Sequence, residues 1–220
     1  MAQDGRVYAR TCGFIYVLIF AAAFVAVGLA GRLIVEGNAS ATAAKILASE
    51  QLWRAGYASE IFTMLCDVAV SWLLYVLLAP VNRNLSLLAA FFRLTYVATY
   101  APAIVAYVMV LPLLHQHLQQ AAMLAIRTHD PAWAISLVFF GANLALAGYL
   151  IGRPPVSVRW LAIALEVAGG CYIINSFTIW IAPTLHAIIY PWVLLPPFVS
   201  EVSLTFWLLF TRRFNGVSVN

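Results

Sequence analysis

The chain has 220 residues, of which 64% are hydrophobic and 9% are charged, and its net charge at pH 7 is +4. A soluble domain carries about 25% charged residues, so this composition excludes an ordinary soluble protein. Several apolar runs reach the roughly 20 residues that cross a bilayer, which indicates an integral membrane protein. The arginines mostly flank these runs, and no separate basic stripe with aromatic residues indicates a nucleic-acid partner.

The hydropathy pattern predicts six membrane spans. They lie near residues 13–31, 57–79, 85–114, 132–151, 158–182 and 187–210. The first is interpreted as a retained helix, because the run from Gly13 to Ala30 exceeds the roughly 7–15 residues of a signal-peptide core. The connections are too small for a second domain. The predicted fold is therefore an all-α, six-helix membrane bundle that occupies residues 1–220 as a single unit.

The distribution of basic residues predicts the orientation. With the N-terminus inside, seven arginines flank the spans on the cytoplasmic side and four basic residues lie opposite. The first group is Arg6, Arg10, Arg83, Arg153, Arg159, Arg212 and Arg213, and the second is Arg32, Lys45, Arg54 and Arg127. Because positive charge favours the cytoplasmic side, both termini are expected in the cytoplasm.

A short amphipathic helix is predicted in the first external connection, from Ala41 to Glu50, with Ser40 as its N-cap. Ala43, Ile46 and Leu47 share one face, and Thr42, Lys45 and Ser49 share another. The helix is expected to lie on the outer membrane surface, and a lid over a cavity is the alternative.

Prolines predict distortion in two spans. Pro102 and Pro112 predict a bend in the third span. Pro191, Pro196 and Pro197 lie in the outer half of the sixth span, where they free backbone carbonyls that protein or water must satisfy.

Five ionisable side chains lie inside the apolar spans: Glu60, Asp67, Arg93, Glu166 and Glu201. Each costs roughly 2.5–3.5 kcal/mol at a membrane centre, so each needs a partner, a proton or a water-filled cavity. Helical spacing places Tyr96 and Tyr100 on the same face as Arg93, and Asn143 lies at a similar depth. These residues are therefore expected to surround one polar interior.

The charge balance of this interior is uneven, because four carboxylates accompany one guanidinium. Arg93 is expected to pair with Glu166, Glu201 or Asp67, which suits its planar donor geometry. The remaining carboxyls are expected to hold a proton or a cation. The alternative is a purely structural ion pair with protonated carboxyls that stabilise the bundle.

The four histidines, His115, His117, His129 and His186, collect at the outer side near Asp130 and Glu60. His115, His117 and His186 are candidate metal ligands, because imidazole and carboxylate groups together bind zinc. Their spacings match no ligand signature, so interfacial histidines are the alternative. No cofactor is assigned from the sequence.

Several segments resemble the bacterial integral-membrane family catalogued as domain of unknown function 4386. They include Leu33-Ile34-Val35, Cys66-Asp67-Val68, Pro80-Val81-Asn82-Arg83, the run from Leu87 to Leu94, Gly148-Tyr149-Leu150 and the run from Glu201 to Trp207. The resemblance implies a location in a bacterial inner membrane and a motif position for Glu50, Asp67, Arg93 and Glu201. Glu166 and the histidines lie outside the family pattern. The family has no assigned activity, so the resemblance implies no reaction.

The leading functional hypothesis is a protein that binds or transports a small molecule or ion, coupled to carboxyl protonation. Arg93 would balance charge, Asp67 and Glu201 would exchange a proton or cation, and Tyr96 and Tyr100 would line the pocket. One alternative is a non-catalytic accessory subunit of a larger membrane complex or homo-oligomer. The other is a lipid-modifying membrane enzyme, which is less favoured because the sequence lacks a GxSxG nucleophile motif.

Overall fold

A computed structural model describes residues 3–212, 214, 218 and 219 of the chain, so Arg213 of the orientation count lies outside the described residues. The described part contains eight α-helices. They are α1 (Gly5–Ala23), α2 (Ala39–Ala48), α3 (Glu50–Leu78), α4 (Arg83–His115), α5 (Gln119–Ile151), α6 (Arg159–Ile181), α7 (Pro183–Ile189) and α8 (Leu195–Phe210). A π-helical turn (Phe24–Leu29) and a 3-10 turn (Ala30–Leu33) extend α1, and a second 3-10 turn (Trp192–Leu194) precedes α8.

Six helical segments of the described chain are long and apolar enough to cross a membrane, and they confirm the predicted six-helix fold. They are Gly5–Leu33, Glu50–Leu78, Arg83–His115, Gln119–Ile151, Arg159–Ile181 and Trp192–Phe210. Around the bundle, α1 packs on α3, α3 on α4, α4 on α5, α5 on α6, α6 on α8, and α8 on α1. This closed ring leaves an interior that side chains from all six spans can reach.

The two chain ends lie at the same end of the bundle. Strand β1 (Gln3–Asp4) pairs antiparallel with strand β2 (Ser218–Val219). An even number of crossings requires this placement. The connection between α3 and α4 lies at the same end, which we call the α3–α4 end; the connection between α4 and α5 lies at the opposite, α4–α5 end.

Several helices extend beyond the predicted spans. The fourth span was expected from residue 132, but α5 begins at Gln119 and continues through Pro131. Helices α4 and α5 have 33 residues each, a length of about 50 Å, whereas the hydrocarbon core is about 30 Å thick. Hydropathy detects the apolar part of such a helix and misses the part that projects into the interfacial region.

At the α4–α5 end of the bundle, the ends of α3, α4 and α5 form a second, smaller core with α2. We call these helix ends the projecting part. Its buried residues are Leu33, Ala43, Ile46, Trp53, Val110, Leu111, Leu114, Ala122 and Ile126. Helix α2 therefore packs on the ends of α3, α4 and α5. The predicted faces were partly wrong, because Leu47 is 41% exposed and Thr42 is buried. The Thr42 hydroxyl accepts a hydrogen bond from the Val35 backbone N–H at 2.9 Å, which fixes the preceding loop.

The N-cap of α2 is Asn38, and the prediction of Ser40 was wrong. The Asn38 side chain accepts a hydrogen bond from the Ala41 backbone N–H at 2.9 Å. Asn38 has an extended backbone conformation, whereas Ser40 already lies within the helix. A cap must precede the first helical residue, so the side chain two positions earlier takes this role.

The sixth predicted span, 187–210, is interrupted in the structure. Helix α7 ends at Ile189, and α8 begins at Leu195 with Pro196 and Pro197 in its first turn. Proline is well tolerated there, because the first-turn N–H groups have no partner within the helix. In the third span, by contrast, α4 continues through both Pro102 and Pro112, and the bend expected there stays a prediction.

Helices α5 and α6 approach each other closely through glycine. A Cβ atom added to Gly141 would lie 2.6 Å from the Gly169 carbonyl oxygen, and one added to Gly148 would lie 2.7 Å from the Ala162 carbonyl oxygen. Small residues at such a contact let two membrane helices pack backbone against backbone. This contact fixes α6, and with it Tyr172, against the bundle.

Candidate functional site

Arg93 lies at the centre of the bundle and is 1% exposed. Its Nη2 donates to Asp67 Oδ1 at 2.6 Å, and its Nε donates to the same oxygen at 3.0 Å. Asp67 on α3 is also buried. The structure thus selects Asp67 among the three partners that the sequence left open.

Two further side chains complete the surroundings of the guanidinium. Arg93 Nη1 donates to the Tyr16 hydroxyl at 2.8 Å and to Asn143 Oδ1 at 3.4 Å. The Asn143 amide in turn donates to the Ala89 carbonyl at 2.8 Å. The Arg93 Cζ atom also lies 5.2 Å and 5.0 Å from the ring centroids of Tyr16 and Phe140. Side chains of α1, α3, α4 and α5 therefore meet at one buried cation, an arrangement that compensates its desolvation.

Glu201 on α8 has a different environment. It is half-buried, and Tyr172 on α6 donates a hydrogen bond to its Oε1 at 2.7 Å. Among the described residues, no basic side chain forms an ion pair with it. Glu201 nevertheless lies near the Arg93 pair, because the ring of Phe140 contacts both Tyr172 and Arg93. Glu201 is therefore a carboxyl group without a direct counter-ion, adjacent to a neutralised pair.

A stack of aromatic rings runs from this region along α4. The rings of Tyr96 and Tyr100 are stacked with centroids 5.9 Å apart, and Tyr96 lies 4.8 Å from Phe140. Phe140 also contacts Tyr172 at 5.5 Å. Both tyrosines point inward as predicted, since each is 7% exposed. They fill the interior with rings.

A small cavity lies beside the Arg93 cluster, toward the α3–α4 end. Its lining includes Asn143, Ser71, Ser86 and Tyr75, and its volume is about 10 Å³. A single water needs about this much space and two to four polar partners. The cavity therefore suits one water molecule, and Tyr96 and Tyr100 are not among the residues that line it.

A second polar cluster surrounds His129 on α5. Its Nε2 lies 3.4 Å from Oε2 of the buried Glu60, and its Nδ1 lies 3.0 Å from Oδ1 of Asp130. The imidazole stacks on the ring of Tyr107 with centroids 3.8 Å apart. The Asp130 side chain is 83% exposed. One imidazole thus connects a buried carboxylate with an exposed one.

The expected interior position of Glu166 is wrong, because this residue is exposed on α6. Its neighbours Ile163, Val167 and Ile174 are half-exposed apolar residues on the same outward face. Successive residues of a helix point about 100° apart. Leu165 and Ala168 therefore lie on a different face of α6, and both are buried. Hydropathy placed the charge within a span but did not fix the direction in which it points.

The structure does not bring the candidate metal ligands together. His115 pairs with Glu50 at 2.7 Å, His117 lies exposed in the turn after α4, and His186 lies 3.4 Å from the Thr178 hydroxyl. Within residues 3–212, 214, 218 and 219, no group of three or more His, Cys, Asp or Glu side chains has metal-binding geometry. The proposed grouping of these three histidines is therefore wrong.

Sequence reasoning missed Tyr16, Phe140 and Tyr172 as parts of the polar interior. Tyr16 carried a usable signal, because it is the only hydroxyl side chain in the predicted span 13–31. Phe140 and Tyr172 carried none, since aromatic residues are common on any apolar helix face. The neighbourhood of His129, Asp130 and Glu60 was expected from their positions, but His129 was not singled out as a site residue.

Comparison with known proteins assigns the chain to a family. The model of the family described as "Domain of unknown function (DUF4386)" matches residues 11–211. The chain belongs to this family. The match covers five spans of this DUF4386 protein completely and the first from residue 11 onward, and it includes Arg93, Asp67 and Glu201. The description names no activity.

One relative extends the comparison beyond bacteria. An uncharacterised protein from the archaeon Archaeoglobus fulgidus is 27% identical over 155 residues, which cover 68% of this chain and 79% of the relative. No solved structure matches the chain significantly.

Proposed function

We propose that this DUF4386 protein binds or transports a small molecule or ion in a cycle coupled to protonation of Glu201. The supporting observation is the contact between Glu201 and Tyr172, which gives the carboxylate one hydrogen bond and no counter-ion. A carboxyl group in such surroundings is stabilised by taking up a proton or a cation.

The ion pair of Arg93 and Asp67 would have a complementary role. Its hydrogen bonds and its burial favour a permanently charged, internally neutral pair. A pair that keeps both charges does not compete with Glu201 for a proton. Arg93 and Asp67 would thus hold the helices together while Glu201 takes up and releases its proton.

The size of the interior limits what this conformation can hold. The cavity beside Asn143 has space for about one water molecule. A ligand larger than water or a bare cation therefore requires the helices to separate. The chain reaches α8 through the short helix α7 and a proline-rich turn, and in the part of the chain that the structure describes no continuous helix connects α6 with α8. Helix α8 is therefore the candidate moving element.

Infrared difference spectroscopy tests the protonation step without knowledge of the ligand. The purified protein in lipid is taken through a pH change, and the carbonyl stretch of protonated carboxyl groups is followed. We expect a pH-dependent band in the wild type and in Glu166→Gln that is absent in Glu201→Gln. Glu166→Gln is the matched control, because the same chemical change is made at an exposed position outside the cluster. An unchanged band in Glu201→Gln would overturn the proposal.

Proteoliposomes test transport itself. The vesicles contain a pH-sensitive dye, and a potassium gradient with valinomycin supplies the membrane potential. If a cation or proton is the cargo, wild-type vesicles acidify or alkalinise faster than empty ones, and Glu201→Gln vesicles behave like empty ones. Equal rates in wild-type and Glu201→Gln vesicles would contradict coupling through Glu201.

The outward position of Glu166 favours an assembly role as a second candidate function. A carboxylate on a lipid-facing helix costs roughly 2.5–3.5 kcal/mol, and a polar partner on another membrane helix removes this cost. The partner would belong to a larger membrane complex or to another copy of the chain. Native mass spectrometry after gentle solubilisation should then show an assembly that Glu166→Leu dissociates and Glu201→Gln leaves intact. A wild-type protein that is monomeric without partners would remove this candidate.

The location proposed for the protein is a prokaryotic plasma membrane with both termini in the cytoplasm. The excess of arginine near the α3–α4 end supports this orientation. Labelling of single cysteines by a membrane-impermeant reagent tests it. A cysteine at Asn84, near the α3–α4 end, should be protected in intact cells, and one at Gln116 should react.

A further inference from the structure

A second titratable site lies in the projecting part of the bundle, about 15 Å along α5 from its first residue. Here His129 is buried between Glu60, which is also buried, and Asp130, which is 83% exposed. The two ring nitrogens face different carboxylates, at 3.4 Å and 3.0 Å. We infer that His129 is a proton-exchange residue that carries protons between the aqueous surface at Asp130 and the buried carboxyl of Glu60.

The geometry of the imidazole suits this role. Each ring nitrogen is directed at one acceptor, so a doubly protonated ring can satisfy both contacts at once. Stacking on Tyr107, with the two ring planes 11° apart, holds the imidazole in this orientation. The contact with Glu60 is longer than an ordinary hydrogen bond, so it must shorten by a few tenths of an ångström before a proton passes.

The groups that face His129 come from three helices. Glu60 approaches from α3, Tyr100 and Tyr107 from α4, and Asp130 from α5 itself. Lys45 on the neighbouring α2 is exposed. The cationic ring thus has two carboxylates as its charge partners and aromatic rings on its sides, and no described basic side chain forms an ion pair in this cluster.

The transfer is balanced in protons. A neutral ring with its proton on Nε2 accepts a proton at Nδ1 from water at the Asp130 side and becomes an imidazolium. The imidazolium then releases its Nε2 proton to Oε2 of Glu60, which becomes a neutral carboxyl group. The ring is left neutral with its proton on Nδ1. To restore the starting state, the ring rotates about the Cβ–Cγ bond so that Nε2 faces water, Nε2 takes up a proton from water and Nδ1 releases its proton to water, and the ring then rotates back. The full cycle moves one proton from water to Glu60.

This inference rests on the proposed function, because it identifies the surface from which protons enter the interior. The ring of Tyr100 lies edge-on to His129, with centroids 6.2 Å apart, and stacks on Tyr96. Tyr96 contacts Phe140, and Phe140 contacts Tyr172, which donates a hydrogen bond to Glu201. The aromatic stack of α4 therefore connects the His129 cluster with the Glu201 region.

Nitrogen NMR of histidine-labelled protein in lipid tests the site itself. His129 is assigned by comparison with His129→Gln, and its ring signals are followed between roughly pH 5 and pH 10. We expect both ring nitrogens to exchange protons with water, and the titration of His129 to change in Glu60→Gln. His117→Gln is the matched control, because His117 is exposed in the turn after α4. A His129 ring that keeps one protonation state throughout, or that ignores Glu60→Gln, would overturn the inference.

A kinetic measurement separates this inference from the proposed function. After a rapid pH change, the rate at which the Glu201 carboxyl band develops should fall at least about tenfold in His129→Gln and not in His117→Gln. An unchanged rate in His129→Gln overturns the role of His129 and leaves protonation of Glu201 intact. Absence of the Glu201 band in the wild type instead rejects the proposed function, and the NMR titration then decides on His129 alone.

Discussion

Arg93 directs two of its nitrogen atoms at one oxygen of Asp67. Nε and Nη2 both donate to Oδ1, at 3.0 Å and 2.6 Å, and this leaves Nη1 free to reach Tyr16 and Asn143. The edge of the guanidinium formed by Nε and Nη2 faces α3, and Nη1 faces α1 and α5. The observed geometry distributes its donors over α1, α3 and α5, so one cation connects four helices.

Substitution of Asp67 by Asn should destabilise the fold strongly. The change leaves a buried guanidinium without its counter-ion, which costs about 3–5 kcal/mol. Thermal unfolding of the protein in detergent, followed by tryptophan fluorescence, measures the effect. The double variant Asp67→Leu/Arg93→Met should lose less stability than the two single variants combined, because it removes both charges together. Single variants within about 0.5 kcal/mol of the wild type would contradict a central structural role for the pair.

The glycine contact between α5 and α6 predicts a sharp difference between two neighbouring positions. Gly169→Ala should destabilise the protein by about 1–3 kcal/mol, because the added Cβ would lie 3.0 Å from the Ala145 backbone nitrogen and even closer to the Gly141 carbonyl. Gly170→Ala is the control, since nothing lies within 4 Å of its added Cβ and alanine favours the helix. Unfolding midpoints of the two variants compare them directly. Equal stabilities would show that α6 can move away from α5 without cost.

The buried cluster and helix α6 illustrate which features of the structure could be predicted from the sequence and which could not. Composition and hydropathy determined the six spans, and helical phase placed Asp67, Arg93 and Tyr96 inward, because several polar residues on one face of a helix avoid lipid together. A single charge gives no such pattern. The nearest residues on the outward face of Glu166, Ile163 and Val167, are apolar, so its outward direction was decided by the packing of Gly169 and Leu165 against α5. The ion-pair partner of Arg93 could not be predicted either, because the choice of Asp67 over Glu201 depends on distances of a few ångströms between helices.

The cap of α2 provides a local test at the projecting end of the bundle. Asn38→Ala should weaken the helix by about 0.5–2 kcal/mol, because the Ala41 backbone N–H loses its acceptor. Ser40→Ala should have little effect, since Ser40 lies exposed within the helix. Amide hydrogen exchange of α2 measures the difference, and the loss of protection should be confined to residues 39–48. Greater loss in Ser40→Ala than in Asn38→Ala would restore the cap expected from the sequence.

The hydrogen bond from the Tyr172 hydroxyl should affect the carbonyl frequency of Glu201 and the pH at which Glu201 takes up a proton. Tyr172→Phe keeps the ring contact with Phe140 and removes the 2.7 Å hydrogen bond to Oε1. The carbonyl band of protonated Glu201 should then shift to higher frequency, and the pH at which the band appears should change. Tyr149→Phe is the matched control, because Tyr149 is 41% exposed and its ring faces Arg153. Suppose that Tyr172→Phe leaves both the position and the pH dependence of the band unchanged. Protonation of Glu201 then does not depend on the hydrogen bond from α6, and a role for Tyr172 in the cycle is rejected.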